Sequence, residues 1–124
     1  MPTDHVAALS RLNGLLRDLG REAPGPMGGF ARLHQSSQAD GALPRSTKEL
    51  MALAIAIATH CEGCIAYHLN DALHAGATRA EVTEAIGVAV MMSGGPGTVY
   101  GAEALAALQQ FEDAGMGERP AGGD

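Results

Sequence analysis

Cys61-Glu62-Gly63-Cys64 places two thiols two residues apart, the only cysteines in the chain. Such a pair cannot close a long loop, so it reads as redox or metal chemistry and not as a structural staple. A C-x-x-C on one helical turn lets the sulfurs meet as a disulfide with little rearrangement. If Thr59 opens a helix, with Glu62 completing a capping box, Cys61 falls at N2 and Cys64 at N5. Unpaired backbone N–H groups and the positive end of the macrodipole then favour thiolate. His68 follows Cys64 by four residues, on the same helix face, where imidazole can take the thiol proton. No Lys or Arg lies between Lys48 and Arg79, so the helix end and histidine are the local groups able to activate a thiol. Glu49 is the natural third member, orienting His68 or relaying its proton.

These residues need two helices to bring them together. Glu49 lies roughly 15 Å of helix from the turn near Thr59, and His68 lies roughly 13 Å beyond it. Antiparallel helices would bring the two side chains to similar depth, in direct contact or through one water. The rest of the chain is also helical in pattern, and no strand alternation appears. Leucines 9, 12, 15, 16 and 19 recur at helical spacing up to Gly20. Residues 21–29, with two prolines and three glycines, read as a connector. A short helix is predicted from Phe30 to about Asp40, with a break at Gly41–Pro44. Three further helices start at the capping boxes Ser46/Glu49, Thr59/Glu62 and Thr78/Glu81. The second stops at Gly76 and the third at Ser93-Gly94, and a last helix runs from about Thr98 to Asp113. The fold class is all-α: one domain over 1–114 with five or six helices, followed by a flexible tail over 115–124.

Composition bounds the function. The chain has 124 residues, 46% hydrophobic but only 3% aromatic, with no Trp, so the core is built from small aliphatic side chains. A small core of this kind favours oligomerisation as a source of further burial. The formal charge is −6, with one Lys and seven scattered Arg, which argues against nucleic acid and anionic membranes as partners. No apolar run reaches membrane-span length. No apolar signal segment is visible at the start, and the expected location is the cytoplasm.

Other readings compete. Glu49 alone is most simply the N3 residue of a capping box. Cys61, Cys64 and His68 could hold zinc with His60 or His74 as the fourth ligand, but structural zinc sites usually draw on two separated knuckles. His34 and His74 read as surface or packing residues, His60 as a helix-junction residue, and Tyr67 and Tyr100 as packing. Met91 and Met92 read as core or interface. Gly94-Gly95-Pro96-Gly97 lacks the Lys-Ser/Thr ending of a phosphate loop and reads as a turn.

Glu49, eleven residues, Cys61, two residues, Cys64, three residues, His68 resembles the E-x11-C-x2-C-x3-H signature of AhpD-like alkylhydroperoxidases, within the carboxymuconolactone decarboxylase superfamily. The flanking sequence is similar too, from about residue 43 to residue 108. The resemblance implies an all-helical fold assembled as a homo-oligomer, a hexamer of single units in preference to a trimer. It implies peroxide reduction, with Cys64 the peroxidatic thiol, Cys61 the resolving thiol, His68 deprotonating Cys64 and Glu49 assisting. A thiol donor, for instance a lipoyl-type dithiol, would re-reduce the disulfide, and neither cofactor nor metal is expected. Lactone decarboxylases of similar fold do not use this pair, so its presence argues against decarboxylation. A decarboxylase-like enzyme, a general disulfide oxidoreductase and a zinc-binding oligomeric module are the alternatives.

Overall fold

Asp4 stands immediately before the first leucine-rich stretch, and its carboxylate accepts a hydrogen bond from the backbone N–H of Ala7. That cap starts α1, His5–Glu22. The computed structural model describes residues 3–117. Five helices follow: α2 Pro24–Gln38, α3 Arg45–Ala58, α4 Glu62–His74, α5 Arg79–Ser93 and α6 Gly95–Asp113. The described residues contain no strand. None of these helices is long and apolar enough to cross a membrane.

The all-α expectation therefore holds, with six helices among the described residues, but several boundaries move. Residues 21–29 are not a connector. Gly20 lies inside α1, Ala23 alone separates α1 from α2, and α2 begins at Pro24. Proline is well tolerated in a first helical turn, where its missing N–H has no partner to lose. The last helix likewise starts earlier than expected, at Gly95, with Pro96 in its first turn.

Two of the three predicted capping boxes do not form. The N-cap of α3 is Pro44, with no side-chain cap bond, and Glu49 is turned inward and wholly buried. Thr59 ends α3 instead of starting α4, its hydroxyl donating to the carbonyl of Ile55. The N-cap of α4 is Cys61. The third box is real: Thr78 Oγ1 accepts from the Glu81 N–H, and Glu81 accepts from the Thr78 N–H.

Helix ends are tied by paired carbonyl bonds around a residue of positive φ. At the end of α4, Gly76 (φ 96°) sends its N–H to Leu73, and Ala77 sends its own to Ala72. The end of α6 repeats the pattern: Gly115 donates to Glu112 and Met116 to Phe111. Met116 packs on the core. Residues 115–117 are thus a structured helix end and not a loose tail; the remainder of that predicted tail, 118–124, lies outside the described residues.

α3 and α4 form an antiparallel pair, and α5 and α6 complete the core beside them. The buried set is aliphatic, centred on Leu53, Ile57, Leu69, Val82, Leu108 and Phe111. Small residues let α5 and α6 approach closely. A Cβ on Gly101 would sit 3.1 Å from methyls of both Ile86 and Val90. α1 buries Leu9 alone, and α2 buries no residue fully.

Thr78→Ala should lose about 1 kcal/mol of stability in urea unfolding, whereas Ser46→Ala should stay within about 0.5 kcal/mol of the parent. Equal losses for the two would restore the capping-box reading of α3.

Candidate functional site

The turn between α3 and α4 sets the cysteines. His60 follows the end of α3 with φ 59°, a left-handed conformation that glycine usually supplies. Its N–H reaches Ile57 at 3.2 Å, and the Cys61 N–H reaches Ala56 at 3.0 Å. Cys61 is thus tied to the end of α3 while serving as the N-cap of α4. It occupies the N-cap and Cys64 the N3 position, not N2 and N5 as expected, so both sulfurs stand nearer the unpaired N–H groups of the helix start. Cys61 and Cys64 are joined as a disulfide, and Cys61 Sγ accepts from the Cys64 N–H at 3.3 Å.

Glu49 and His68 meet directly, Oε2 to Nδ1 at 2.9 Å. Glu49 is 0% exposed, and its second oxygen, Oε1, has no hydrogen bond. Arg45 stands one helical turn back, its Nε 4.0 Å from that oxygen. With the carboxylate accepting from Nδ1–H, the lone pair of His68 lies on Nε2, the tautomer suited to a base. The antiparallel packing of α3 on α4 makes this contact, as the distance estimate anticipated.

His68 and both cysteines border a cavity of about 530 Å³. α4 supplies Gly63, Cys64, Tyr67 and His68; α1 supplies Leu12 and Leu16; α2 supplies Met27, Phe30, Ala31, His34 and Gln35. The lining is therefore largely apolar, with the two sulfurs and the imidazoles of His34 and His68 among it. Gly63 lets Leu12 close against the disulfide turn, since a Cβ there would lie 3.1 Å from Leu12 Cδ2.

Three more polar residues stand at the site: His34, expected as a surface or packing residue, Tyr67, expected as packing, and Asp71, not singled out by sequence. His34 comes from α2, with its ring centroid 5.9 Å from that of His68 and 6.0 Å from that of Tyr67. Asp71 lies 4.0 Å from His34 Nε2. Tyr67 meets both imidazoles edge-on. Asp71 was findable: Cys64, His68 and Asp71 recur at three- and four-residue spacing on one face of α4. His34 carried no local signal. Burial first, then the Glu49 charge, raises the Asp71 carboxyl above its ordinary value, with His68, His34 and Arg45 opposing. Burial, followed by the charges of Asp71 and Glu49, also raises the Tyr67 phenol, against Arg45.

His60 stacks on Tyr100, centroids 4.6 Å apart and ring planes nearly parallel, which fits its reading as a junction residue. His74 Nδ1 engages the carbonyl of Asn70 at the exposed end of α4. The zinc set that needed either of them with the two thiols is not assembled.

Residues 24–108 match the model of the carboxymuconolactone decarboxylase family, so the likeness takes in α2 as well as the signature region. An uncharacterized protein of Cupriavidus necator is 36% identical over 106 residues, covering 86% of this chain and 94% of that protein. A protein of the Paracoccus denitrificans cox locus is 40% identical over 85 residues, 68% of this chain and 77% of its own length. Among solved structures, a carboxymuconolactone decarboxylase family protein from Legionella pneumophila superposes with a TM-score of 0.83 at 41% identity, covering 88% of this chain and 98% of that one. One from Thermotoga maritima gives 0.68 at 28% identity, covering 73% and 93%.

The raised Asp71 pKa has a definite consequence for stability. The folded chain holds the Asp71 proton more tightly than the unfolded chain, so this residue's contribution is fully present below the ordinary value of 3.8 and is lost as pH rises through the folded value. Asp71→Asn should therefore match the parent in urea unfolding at about pH 3.5 and be more stable than it at about pH 7. A variant less stable than the parent at the higher pH would contradict burial as the leading cause.

Proposed function

The chain belongs to the carboxymuconolactone decarboxylase family, and on that premise we propose that it is a thiol-dependent peroxidase working through a Cys61/Cys64 dithiol–disulfide cycle. The observation that carries the reading is the disulfide at a helix start, on the same cavity as a histidine held by a buried carboxylate. In the reduced protein, His68 takes the Cys64 proton and hands its own Nδ1–H bond to Glu49. The thiolate attacks one peroxide oxygen, the O–O bond breaks, and the departing alkoxide takes the proton from His68 as alcohol. Cys64 is left as sulfenic acid. Cys61 attacks that sulfur, its proton leaves with the hydroxyl as water, and the disulfide forms. An external dithiol, of lipoyl or similar type, then restores both thiols by exchange and becomes the oxidised partner. The antioxidative role suggested for the Thermotoga maritima relative is of the same kind. Such a cycle suits a reducing, cytoplasmic setting.

The peroxidase is proposed to act as a homo-oligomer, a hexamer or trimer. Met91 and Met92 are not core: they are 70% and 74% exposed, and Met51, Ile55, Val88 and Val99 are also open to solvent. Exposed apolar surface on α3, α5 and α6 is what an interface between copies would cover.

Cys64→Ser should abolish peroxide turnover. Cys61→Ser should react once and stop, leaving a sulfenic acid that a dimedone probe labels. His68→Asn and Glu49→Gln should slow turnover by about 10²–10⁴-fold, the usual worth of a positioned base. Undiminished peroxidase activity in Cys64→Ser would remove the proposal, and decarboxylation on the same scaffold would then be assayed with the Cys61/Cys64 double variant and thiol exchange with the parent.

A further inference from the structure

Four side chains from three helices converge beside the disulfide: His34 from α2, Glu49 from α3, and His68 and Asp71 from α4. Each offers one donor atom, and all four atoms lie within 4.8 Å of one another. The two protein-only contacts among them leave much unsatisfied. Glu49 Oε1 and His34 Nε2 are both shielded from solvent and both lack a hydrogen-bond partner. A buried polar atom without a partner is costly, more so on a carboxylate. One orphan in a fully buried glutamate and another on the facing imidazole are best satisfied together.

We propose that His34, Glu49, His68 and Asp71 form a binding site for one divalent first-row transition ion, with two imidazole nitrogens and two carboxylate oxygens as ligands. The donor types suit such ions, and neither sulfur is needed. Donors about 2.1 Å from an ion lie about 3.0 Å apart along an octahedral edge and about 4.2 Å across it. The 2.9 Å separation of His68 Nδ1 and Glu49 Oε2 already equals such an edge. His34 Nε2 and Asp71 Oδ2, 4.0 Å apart, fit a wider pair. The widest separation, within 4.8 Å, closes by at most about 0.6 Å to reach the trans span. An ion would also remove the like-charge opposition between Glu49 and Asp71. Arg45 is the competing cation, 4.0 Å from Glu49 Oε1, but half its side chain is in solvent and it can swing clear.

Zn²⁺ binding to the disulfide form tests this directly, because the bonded sulfurs cannot act as thiolate ligands. Calorimetric titration should give one ion per chain. His34→Ala and Asp71→Asn should each weaken binding by about tenfold or more, while His74→Ala, outside the cluster, should bind as the parent does. Co²⁺ in the same protein should give visible bands of nitrogen and oxygen ligation without sulfur charge transfer. Absence of stoichiometric binding by the parent, or parent-like binding by both His34→Ala and Asp71→Asn, overturns the site. Resting on the peroxidase reading, bound Zn²⁺ also takes His68 away from Cys64 and should inhibit turnover. The titration is read without any turnover, so failure of the metal site and failure of the peroxidase assignment are separate results.

Discussion

A carboxylate with no exposed surface is the constraint around which this fold is arranged. Glu49 sits in the aliphatic layer between α3 and α4, where an isolated charge would be heavily penalised. His68 meets one of its oxygens and Arg45 approaches the other. Those partners are available only when α3 and α4 run antiparallel in one register. A shift of either helix by a turn, about 5.4 Å, would strand the carboxylate. The buried aliphatic residues Leu53 and Ile57 of α3 and Ile65 and Leu69 of α4 supply apolar packing between the helices, but aliphatic packing tolerates sliding far better than a hydrogen-bonded ion does. The polar contact therefore fixes what the apolar core merely holds.

The same register delivers the cysteines. The α3 end hands its last carbonyls to His60 and Cys61, so the sulfur-bearing turn is anchored to the helix that carries Glu49. His60 occupies a conformation more often left to glycine. Its ring lies flat on Tyr100 of α6, contact that a glycine could not make. Strain in the backbone is compensated by stacking, and the turn gains a tether to a third helix. The disulfide turn is thus braced from α3, α4 and α6.

Most of the site was legible because its chemistry is local in sequence. Cys61, Cys64 and His68 lie within one short stretch, and the antiparallel estimate was enough to bring Glu49 to His68. What failed was capping. Ser46/Glu49 and Thr59/Glu62 have the same pattern as Thr78/Glu81, yet a glutamate at N3 stays at the cap only when solvent is its better alternative. Glu49 had a histidine waiting across the helix pair, and Thr59 was drawn to the carbonyls of the helix it ends. The first half of α2 was missed for another reason, although its second half, from Phe30, was predicted as helix. Its prolines and glycines read as a connector, but prolines crowded into a first turn cost little, and what holds the helix is its place against the cavity. His34 lay in the predicted helix from Phe30, but nothing local in the sequence tied that helix to the site.

That misreading also hid how the site is divided. α1 and α2 contribute side chains that bury little of the main core, since their apolar faces look onto the cavity instead. Leu12, Leu16, Met27 and Phe30 keep the medium around the sulfurs poor in polar atoms. In such a medium charge–charge effects reach further than in water, and at Asp71 beside it burial first, then the Glu49 charge, raises the carboxyl. The apolar wall and the acidic cluster are therefore not separate features. The first raises the energetic weight of every proton placed on the second, and the turn with Cys61 and Cys64 lies where the two meet.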